Sequence, residues 1–275
     1  ARCPQRRRCR AGHHREPVVN RRALASVSGI VVFLAVWEAL VRALDVRPFV
    51  LRAPTDALGA LWEFRGDFAS AAWVTTRHAV IGLAIALVVG AAIGAALAAV
   101  RFLEDAAQPV LVLVMVTPWF AYVTSIVLWL GAGTPPALFM VALVCLPAIV
   151  FAATDGLRSV DPAALELFRS VDARRWETFW RLRVPSALPT VFTAVRIDLG
   201  LALAAAYYVE GANQSNAGVG AIGRRNSVMG GGASADTLWA AVFAMALLGA
   251  IGLLAISLLQ RLVLHWHPSN RRTAG

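Results

Sequence analysis

The side chains best able to recognise another molecule are aromatic residues and arginines between residues 161 and 183. Four of them recur at three- and four-residue spacing, on one face of a predicted helix: Trp176, Phe179, Trp180 and Arg183. Aromatic rings and arginines often anchor contacts between proteins. The same pattern is typical of a helix lying on an anionic membrane surface. At this point, both a protein-docking element and an interfacial helix are open.

Local signals divide this segment into two helices. Asp161 is a good helix cap and Pro162 favours the first helical position, so a helix is predicted from Pro162 to Ser170. Asp172 interrupts the pattern, and a second amphipathic helix is predicted to end at about Leu182. The segment is therefore expected to form a helix–turn–helix.

Catalytic chemistry finds little support in the sequence. All 26 basic residues are arginine, and the lack of lysine excludes a phosphate-binding P-loop and a Schiff-base site in this chain. Ser125 and Ser257 have no obvious base, and there is no His-Glu-x-x-His motif. Cys3, Cys9 and Cys145 have neither zinc-site nor disulfide spacing. We predict a chain that is not an enzyme and holds no metal or cofactor.

Composition indicates that the solvent around these elements is lipid. The chain of 275 residues is 59% hydrophobic and 15% charged, whereas soluble domains are about 25% charged. Six apolar runs are each long enough to cross a hydrocarbon core about 30 Å thick: Ser26–Leu44, Thr75–Val100, Pro109–Leu130, Pro136–Ala153, Leu188–Val209 and Thr237–Leu264. We predict an all-α, polytopic membrane protein of about six transmembrane helices, with the helix–turn–helix between spans four and five.

Arginine placement predicts the orientation and the parts of the chain. With a cytoplasmic amino terminus, the inside segments carry 18 arginines and the outside segments five, which favours both termini in the cytoplasm. Residues 1–24 are predicted to be a basic, disordered tail, residues 25–265 the transmembrane domain and residues 266–275 a C-terminal tail. No aromatic residue interleaves the arginines of the first tail, which favours a role in topology over nucleic-acid binding.

Small residues indicate where the second span packs against another helix. Gly82, Ala86, Gly90, Gly94 and Ala98 recur every four residues. Small residues at this spacing let two backbones approach closely in a membrane, where the hydrophobic effect does not drive helices together. The stripe predicts a helix interface and does not by itself indicate transport.

Prolines and polar residues at membrane depth are the candidates for a solute pathway. Pro118 and Pro147 each remove a backbone hydrogen bond, which fits either a kink or a pore lining. Helix packing or anchoring at the membrane interface is the alternative for every candidate. His78 is expected to be interfacial, and residues 207–232 are expected to form a polar, glycine-rich outer loop. The candidate pathway residues are Thr117, Pro118, Trp119, Tyr122, Ser125, Arg196 and Glu210, with Glu38 and Asp198 as further ionisable residues in or near spans.

The predicted helix–turn–helix resembles the EAA loop of ABC-importer permease subunits, which docks into a cleft of the ATP-binding subunit. Glu166 matches the family's Glu and is followed by Leu-Phe where the family has Ala-Ala. Asp172 stands at the family's Gly, Leu182 at its hydrophobic position, and Val184-Pro185 at its Leu-Pro. The family's Gly occupies a turn that favours positive φ, and Asp tolerates that conformation better than most residues.

The resemblance extends beyond this loop to permeases of nitrate, taurine and aliphatic-sulfonate importers. Residues 154–162 are similar to the stretch that precedes their loop, residues 51–55 to the stretch before their second span, and residues 128–133 to the exit of their third span. Gly218-Val219-Gly220 and Trp266 also fit, and the likeness covers about residues 30–267.

This resemblance implies a multi-pass permease subunit of the bacterial plasma membrane. It implies a dimer, formed with a second copy or a different permease, together with an ATPase that holds ATP and Mg²⁺ and an external binding protein. The solute would be small, such as nitrate, a sulfonate or taurine, and Arg196 would suit an anion. The alternative is an ATPase-independent channel or scaffold with a degenerate coupling loop. The residues expected to face the ATPase, in the coupling loop at about 155–186, are Glu166, Arg169, Asp172, Arg174, Arg175, Trp176 and Pro185.

Overall fold

A computed structural model of the chain describes residues 18–47, 50–213, 217–229 and 232–265. These residues form helices and no strands, which confirms the predicted all-α class. A 3-10 turn at Trp119–Tyr122 and a π turn at Phe179–Arg183 join two pairs of helices. In chain order the helices are α1 Val18–Ala43, α2 Pro54–Glu63, α3 Arg65–Ala99, α4 Arg101–Val116, α5 Val123–Leu130, α6 Thr134–Arg158, α7 Pro162–Ser170, α8 Arg175–Thr178, α9 Val184–Ala212, α10 Val219–Met229 and α11 Gly232–Val263.

Five helical segments of the described chain are long and apolar enough to cross a membrane, and a bent pair makes up to six spans. The five are Leu24–Ala43 of α1, α3, α6, the continuous segment Arg175–Ala212, and Ser234–Val263 of α11. The pair is α4 with Trp119–Leu130, bent by 84°. The bend lies at Pro118, which has no N–H to continue the helix. Pro147, by contrast, lies inside α6 without ending it.

Three helices, α3, α6 and α9, build the core at the closest approach of their backbones. Met140, Val141 and Ile149 of α6 are fully buried together with Ala202 and Ala206 of α9. The predicted small-residue stripe of α3 lies on α6, since a Cβ added to Gly90 or Gly94 would come within 2.8 Å of a side-chain carbon of α6. Larger residues there would push the two helices apart.

Large apolar side chains cover the outside of the helices, which is the reverse of a soluble domain. Phe33 of α1, Val88 of α3, Val110 of α4, Leu128 of α5 and Leu254 of α11 are all exposed. Hydrocarbon chains of lipid solvate such faces, whereas water would not. The fold therefore agrees with the predicted membrane environment.

Two boundaries differ from the sequence prediction, and both helices extend past their apolar runs. Helix α1 begins at Val18, inside the tail predicted over residues 1–24. Helix α3 begins at Arg65, well before Thr75. A helix gains one hydrogen bond for each residue that it adds, so polar residues next to an apolar run readily continue it. The rest of the predicted tails, residues 1–17 and 266–275, lies outside the described residues.

Ion pairs fasten the flanking helices at one end of the bundle. Glu38 of α1 accepts hydrogen bonds from Arg42, at 2.5 Å, and from the Thr55 hydroxyl of α2, at 2.8 Å. Arg52, just before α2, donates from two of its nitrogens to Asp236 near the start of α11. This hydrogen bonding raises the pKa of the Arg52 guanidinium above its ordinary value. Glu38, a candidate in the sequence, is thus engaged in holding α1 to α2.

Candidate functional site

Helix α7 begins as its sequence predicts. The carboxylate of Asp161 accepts a hydrogen bond of 3.0 Å from the backbone N–H of Ala163, and Pro162 occupies the first helical position. The cap satisfies one of the backbone donors that a helix start leaves without an intrahelical partner. Helix α7 therefore has a fixed start directly after α6.

The turn between α7 and α8 places Asp172 in the left-handed region, with φ of +51°. The N–H of Ala173 donates to the Phe168 carbonyl at 3.0 Å, and the N–H of Asp172 donates to the Arg169 carbonyl at 3.1 Å. Left-handed backbone after a helix is normally the place of glycine. The positive φ expected at this position is confirmed, with an Asp carrying it.

The second limb of the segment does not end where the sequence predicts. Helix α8 and the π turn run directly into α9, so the helix continues past Leu182 to Ala212. Pro185 lies in the first turn of α9 and has no N–H to donate to the turn before it. A π turn shifts the backbone hydrogen-bond register by one residue. Here it lets the helix continue although Pro185 has no N–H to donate. Helices α8 and α9 therefore form one continuous helical segment.

Aromatic rings form an exposed cluster on this limb. The ring of Trp176 lies 6.2 Å from that of Phe179 and 5.4 Å from that of Trp180, between centroids. Trp176 is 69% exposed and Trp180 is 51% exposed. Beside them a cleft of about 590 Å³ is lined by Arg169, Arg175 and Arg183, among others. Exposed aromatics beside arginines are what a docking surface offers to a partner.

The residues predicted to face an ATPase lie in one continuous segment, which we call the coupling segment, residues 159–186. One of the seven, Pro185, is half-buried in α9. The other six are exposed side chains on α7, the Asp172 turn and the start of α8: Glu166, Arg169, Asp172, Arg174, Arg175 and Trp176.

Arg158, which the sequence prediction did not single out, ties the coupling segment to the bundle. Its guanidinium donates to the carbonyls of Leu97, at 2.8 Å, and Ala98, at 3.3 Å, at the end of α3. It also pairs with Glu104 of α4. One side chain at the end of α6 therefore binds two further helices where the coupling segment begins. Arg158 lies in residues 154–162, which resemble other permeases, and this position in the sequence could have indicated its role.

A second polar site lies at the opposite end of the bundle, around Glu210 of α9. The carboxylate accepts hydrogen bonds from the Thr75 hydroxyl, at 2.7 Å, and from the backbone N–H of Gly220, at 3.2 Å. Its other oxygen lies 2.9 Å from Nδ1 of His78. Glu210 is 2% exposed and His78 is 4% exposed. We call these groups the Glu210 network.

The Glu210 network holds α10 against α3 and α9. The Thr75 hydroxyl also accepts a hydrogen bond of 3.0 Å from the N–H of Val219, the first residue of α10. Gly218, with φ of +93°, and Gly220 approach α9 so closely that an added Cβ would overlap the Glu210 carboxylate and the Tyr207 carbonyl. The predicted loop over residues 207–232 is therefore wrong for 207–212, which end α9, and for 219–229, which form α10. Tertiary packing overrides a glycine-rich, polar sequence here.

His78 corrects a second expectation, since it is buried and not interfacial. Thr75 and His78 are three residues apart, so they share one face of α3 and both reach Glu210. This spacing of two polar residues on one face of α3 is the signal in the sequence that would have indicated the network. Glu210 is 132 residues away from His78 in the chain, so local sequence patterns could not predict that the two residues are partners.

The residues predicted to line a pathway are brought together only in part. Trp119 lies edge-on to Tyr208 of α9, with 5.7 Å between ring centroids, and Tyr122 packs on the core. Thr117 donates to the Leu113 carbonyl at 2.7 Å, which caps the end of α4 beside Pro118. Ser125 and Arg196 are exposed, and Glu210 is buried in its network. Arg196 lies about 18 Å along α9 from Tyr208, so it does not join this group.

Asp198 is the most deeply buried acid of the described chain, with no exposed surface. Neither of its carboxylate oxygens has a hydrogen-bond partner among the described residues. Its backbone carbonyl lies 3.7 Å from the sulfur of Cys145 on α6. Asp198 therefore lies where α9 contacts α6, with its carboxylate buried.

Comparison with known proteins identifies where this architecture occurs. Residues 72–265 match the family of binding-protein-dependent transport system inner membrane components. The formylaminopyrimidine transport permease ThiX of Halalkalibacterium halodurans is 29% identical over 89% of this chain and 96% of its own length. The riboflavin transport permease RibX of Chloroflexus aurantiacus is 28% identical over 87% and 89%. The taurine transport permease TauC of Escherichia coli is 25% identical over 66% and 69%.

A solved structure shares the fold. An inward-facing structure of the MetNI methionine ABC transporter superposes with a TM-score of 0.63 at 17% identity, over 73% of this chain and 98% of that one. The predicted likeness to permeases of importers is thereby confirmed, and ATP hydrolysis in this family resides in a separate subunit. The chain belongs to the family of binding-protein-dependent transport system inner membrane components, and it is a membrane permease subunit of an ABC transporter.

Proposed function

We propose that this chain forms half of the pathway of an ATP-driven importer and receives its solute from an external binding protein. The observation that carries the proposal is the coupling segment, which joins α6 to α9 and exposes Trp176 beside a cluster of arginines. Because α8 continues into α9 as one helix, a partner that moves Trp176 also moves a membrane span. This is the mechanical link that a pathway opened by ATP binding needs.

The partner that fits this surface is the ATPase subunit of the same transporter. In this proposal the ATPase binds ATP and Mg²⁺, the permease chain holds no cofactor, and the coupling segment sits in a cleft of the ATPase. The coupling segment and both termini are then cytoplasmic, and the Glu210 network lies at the outer side, in agreement with the distribution of arginines. A second permease, either another copy or a different chain, completes the pathway.

The solute is proposed to be small, and an anion of the nitrate, sulfonate or taurine type is one class that fits. Relatives are named for taurine, aliphatic sulfonates and nitrate, and others for formylaminopyrimidine and riboflavin. This spread is expected where the external binding protein selects the solute.

Retention of the ATPase by a double variant tests the proposal. Glu166→Ala with Trp176→Ala removes a charge and an anchor from the coupling segment, and we expect the ATPase to be lost when the tagged chain is purified in mild detergent. Truncating a buried aromatic anchor costs at least about 2 kcal/mol, or roughly thirtyfold in affinity. Mass spectrometry of the copurified proteins measures the loss.

The matched control removes the same two residue types at the other end of the bundle. Glu63 and Trp62 of α2 are exposed as well, so Glu63→Ala with Trp62→Ala is expected to retain the ATPase. If the Glu166/Trp176 variant keeps as much ATPase as this control, the coupling segment is not the docking site. A channel or scaffold that works without an ATPase would then account better for the chain.

A further inference from the structure

A cleft between the 3-10 turn, α9 and α10 has a lining that selects for solute chemistry. Its volume is about 370 Å³, within the range of about 300–1,000 Å³ that is typical of small-molecule sites. We infer that this cleft, which we call the aryl cleft, binds a planar aromatic or heteroaromatic ring that carries an anionic group. The inference rests on the proposed transport function, because it names the solute class of that pathway.

Aromatic rings form one side of the aryl cleft. Phe120 of the 3-10 turn and Tyr208 of α9 are exposed toward it, and Trp119 holds both from behind, with centroid distances of 6.0 and 5.7 Å. Phe120 and Tyr208 are 6.4 Å apart and tilted by 53°. Rings at such distances accept another ring in an edge-to-face or offset stack, which is worth more than the area that it buries.

A guanidinium forms the other side. Arg224 of α10 donates to the Gly211 carbonyl at 2.9 Å, which fixes its position at the edge of the cleft. Within the described part of the chain, no carboxylate pairs with Arg224. A neighbouring cleft of about 460 Å³ shares Arg224 and adds Arg225. Arginines whose charge is not neutralised by an acid recognise carboxylate, sulfonate or phosphate oxygens.

The remaining lining supplies a few hydroxyl groups and no negative charge. Thr124 of α5 and Ser227 of α10 place hydroxyls at the cleft, and Glu210, which accepts from the lining residue Gly220, is buried in its own network. A cation would therefore meet Arg224 without an acid to stabilise it, whereas an anion would be paired. An aliphatic anion would satisfy Arg224 and leave the rings of Phe120 and Tyr208 without a stacking partner.

Photolabelling of the purified full-length chain in detergent tests the inference without the ATPase or the binding protein. The probe is 4-azidobenzenesulfonate, and peptide mapping locates the adducts. We expect labelling in residues 119–124, 207–212 and 220–227. Benzenesulfonate is expected to suppress it at a concentration several-fold lower than cyclohexanesulfonate, because only the former stacks on the rings. The cationic probe 4-azidobenzylamine is expected not to label these segments.

Two variants assign the two halves of the lining. Arg224→Gln is expected to weaken labelling at least about tenfold, because a hydrogen bond to a charged group is lost. Phe120→Leu is expected to abolish the preference for benzenesulfonate over cyclohexanesulfonate. Arg65→Gln, an exposed arginine at the same end of the bundle, is the matched control and should label as the wild type does. Thermal melting of each variant confirms that it is folded.

Labelling outside the three segments, or equal competition by the two sulfonates, would overturn the inference. The inference would also be overturned by a second pair of results. In that pair, Arg224→Gln and Arg65→Gln label equally, and the folded Phe120→Leu variant still prefers benzenesulfonate over cyclohexanesulfonate. These readouts involve only the permease chain, so the inferred solute class and the proposed docking of an ATPase can fail independently. If the Glu166/Trp176 variant retains the ATPase while the labelling results hold, the proposed importer is refuted and the binding cleft remains. The opposite pair of results would keep the importer and refute the solute class.

Discussion

The two ends of the bundle place their charged residues in opposite ways. At the coupling segment, six predicted residues with charged or aromatic side chains are exposed. At the other end, Glu210, His78 and Thr75 are buried and satisfy one another. The difference indicates that the coupling segment offers its side chains to a partner, as proposed above, while the Glu210 network holds α10 in a defined position.

The two ends also differ in how they are connected to the spans. The coupling segment continues into α9, so force applied there travels along a helix whose far end carries Glu210. The Glu210 network in turn joins α9 to α3 and α10. Both sites thus lie on the same helix, the coupling segment at its start and the Glu210 network near its end. Variants at the two ends should accordingly fail in different assays.

The largest expected effect comes from the buried end. Glu210→Leu leaves His78 and the Gly220 N–H without their acceptor, and it leaves the Thr75 hydroxyl with only the Ala71 carbonyl. Leaving a buried donor without its acceptor costs about 1–3 kcal/mol, and two donors lose their acceptor here. We expect a drop of this size in the free energy of unfolding of the detergent-purified chain, measured by denaturant titration.

An exposed carboxylate at the same end of the bundle as Glu210 supplies the control for this prediction. Glu63→Leu changes an exposed carboxylate of α2, and surface changes of this kind stay within about 0.5 kcal/mol. Equal unfolding free energies for the Glu210 and Glu63 variants would show that the network does not stabilise the fold. The contrast between the two ends would then lose its basis.

A smaller effect is expected at the turn of the coupling segment. Asp172 has φ of +51°, a conformation that costs a β-carbon residue about 1–2 kcal/mol and glycine almost nothing. Asp172→Gly should raise the protection of the Ala173 amide, which donates to the Phe168 carbonyl, and Asp172→Val should lower it. Hydrogen exchange monitored by mass spectrometry measures both changes.

The test compares the protection of the Ala173 amide in the glycine and valine variants. If valine protects the Ala173 amide as well as glycine does, then the turn is not held in the left-handed conformation. In that case Asp172 does not substitute for the family's glycine in conformational terms. Global unfolding free energy should change little in either variant, which separates this local effect from that of Glu210.

The sequence predicted the coupling end better than the other end, for a physical reason. The cap at Asp161, the interruption at Asp172 and the aromatic periodicity are local patterns, and each is confirmed as a structural feature. The predicted end of the second helix, at about Leu182, was wrong. A π turn precedes Pro185 and lets the helix continue past a proline that local rules treat as a boundary. The six apolar runs likewise predicted the spans, since composition alone determines them.

The buried end could not be predicted in the same way. Helix α10 is rich in glycine and arginine, and it is stabilised by contacts with α3, α9 and α11. Glu210 and His78 meet only after α3 and α9 have packed, and Gly218 and Gly220 matter because of what lies opposite them. Such pairings depend on the tertiary fold, which no single stretch of the sequence encodes.

Site-directed photocrosslinking provides a direct test of the proposed contact between the coupling segment and an ATPase. A benzoylphenylalanine placed at position 176 in the native host's membranes is expected to capture a nucleotide-binding ATPase subunit, identified by mass spectrometry. The same residue at position 62, also an exposed Trp, is expected not to capture it. Capture of the ATPase at position 62 and not at position 176 would contradict the account.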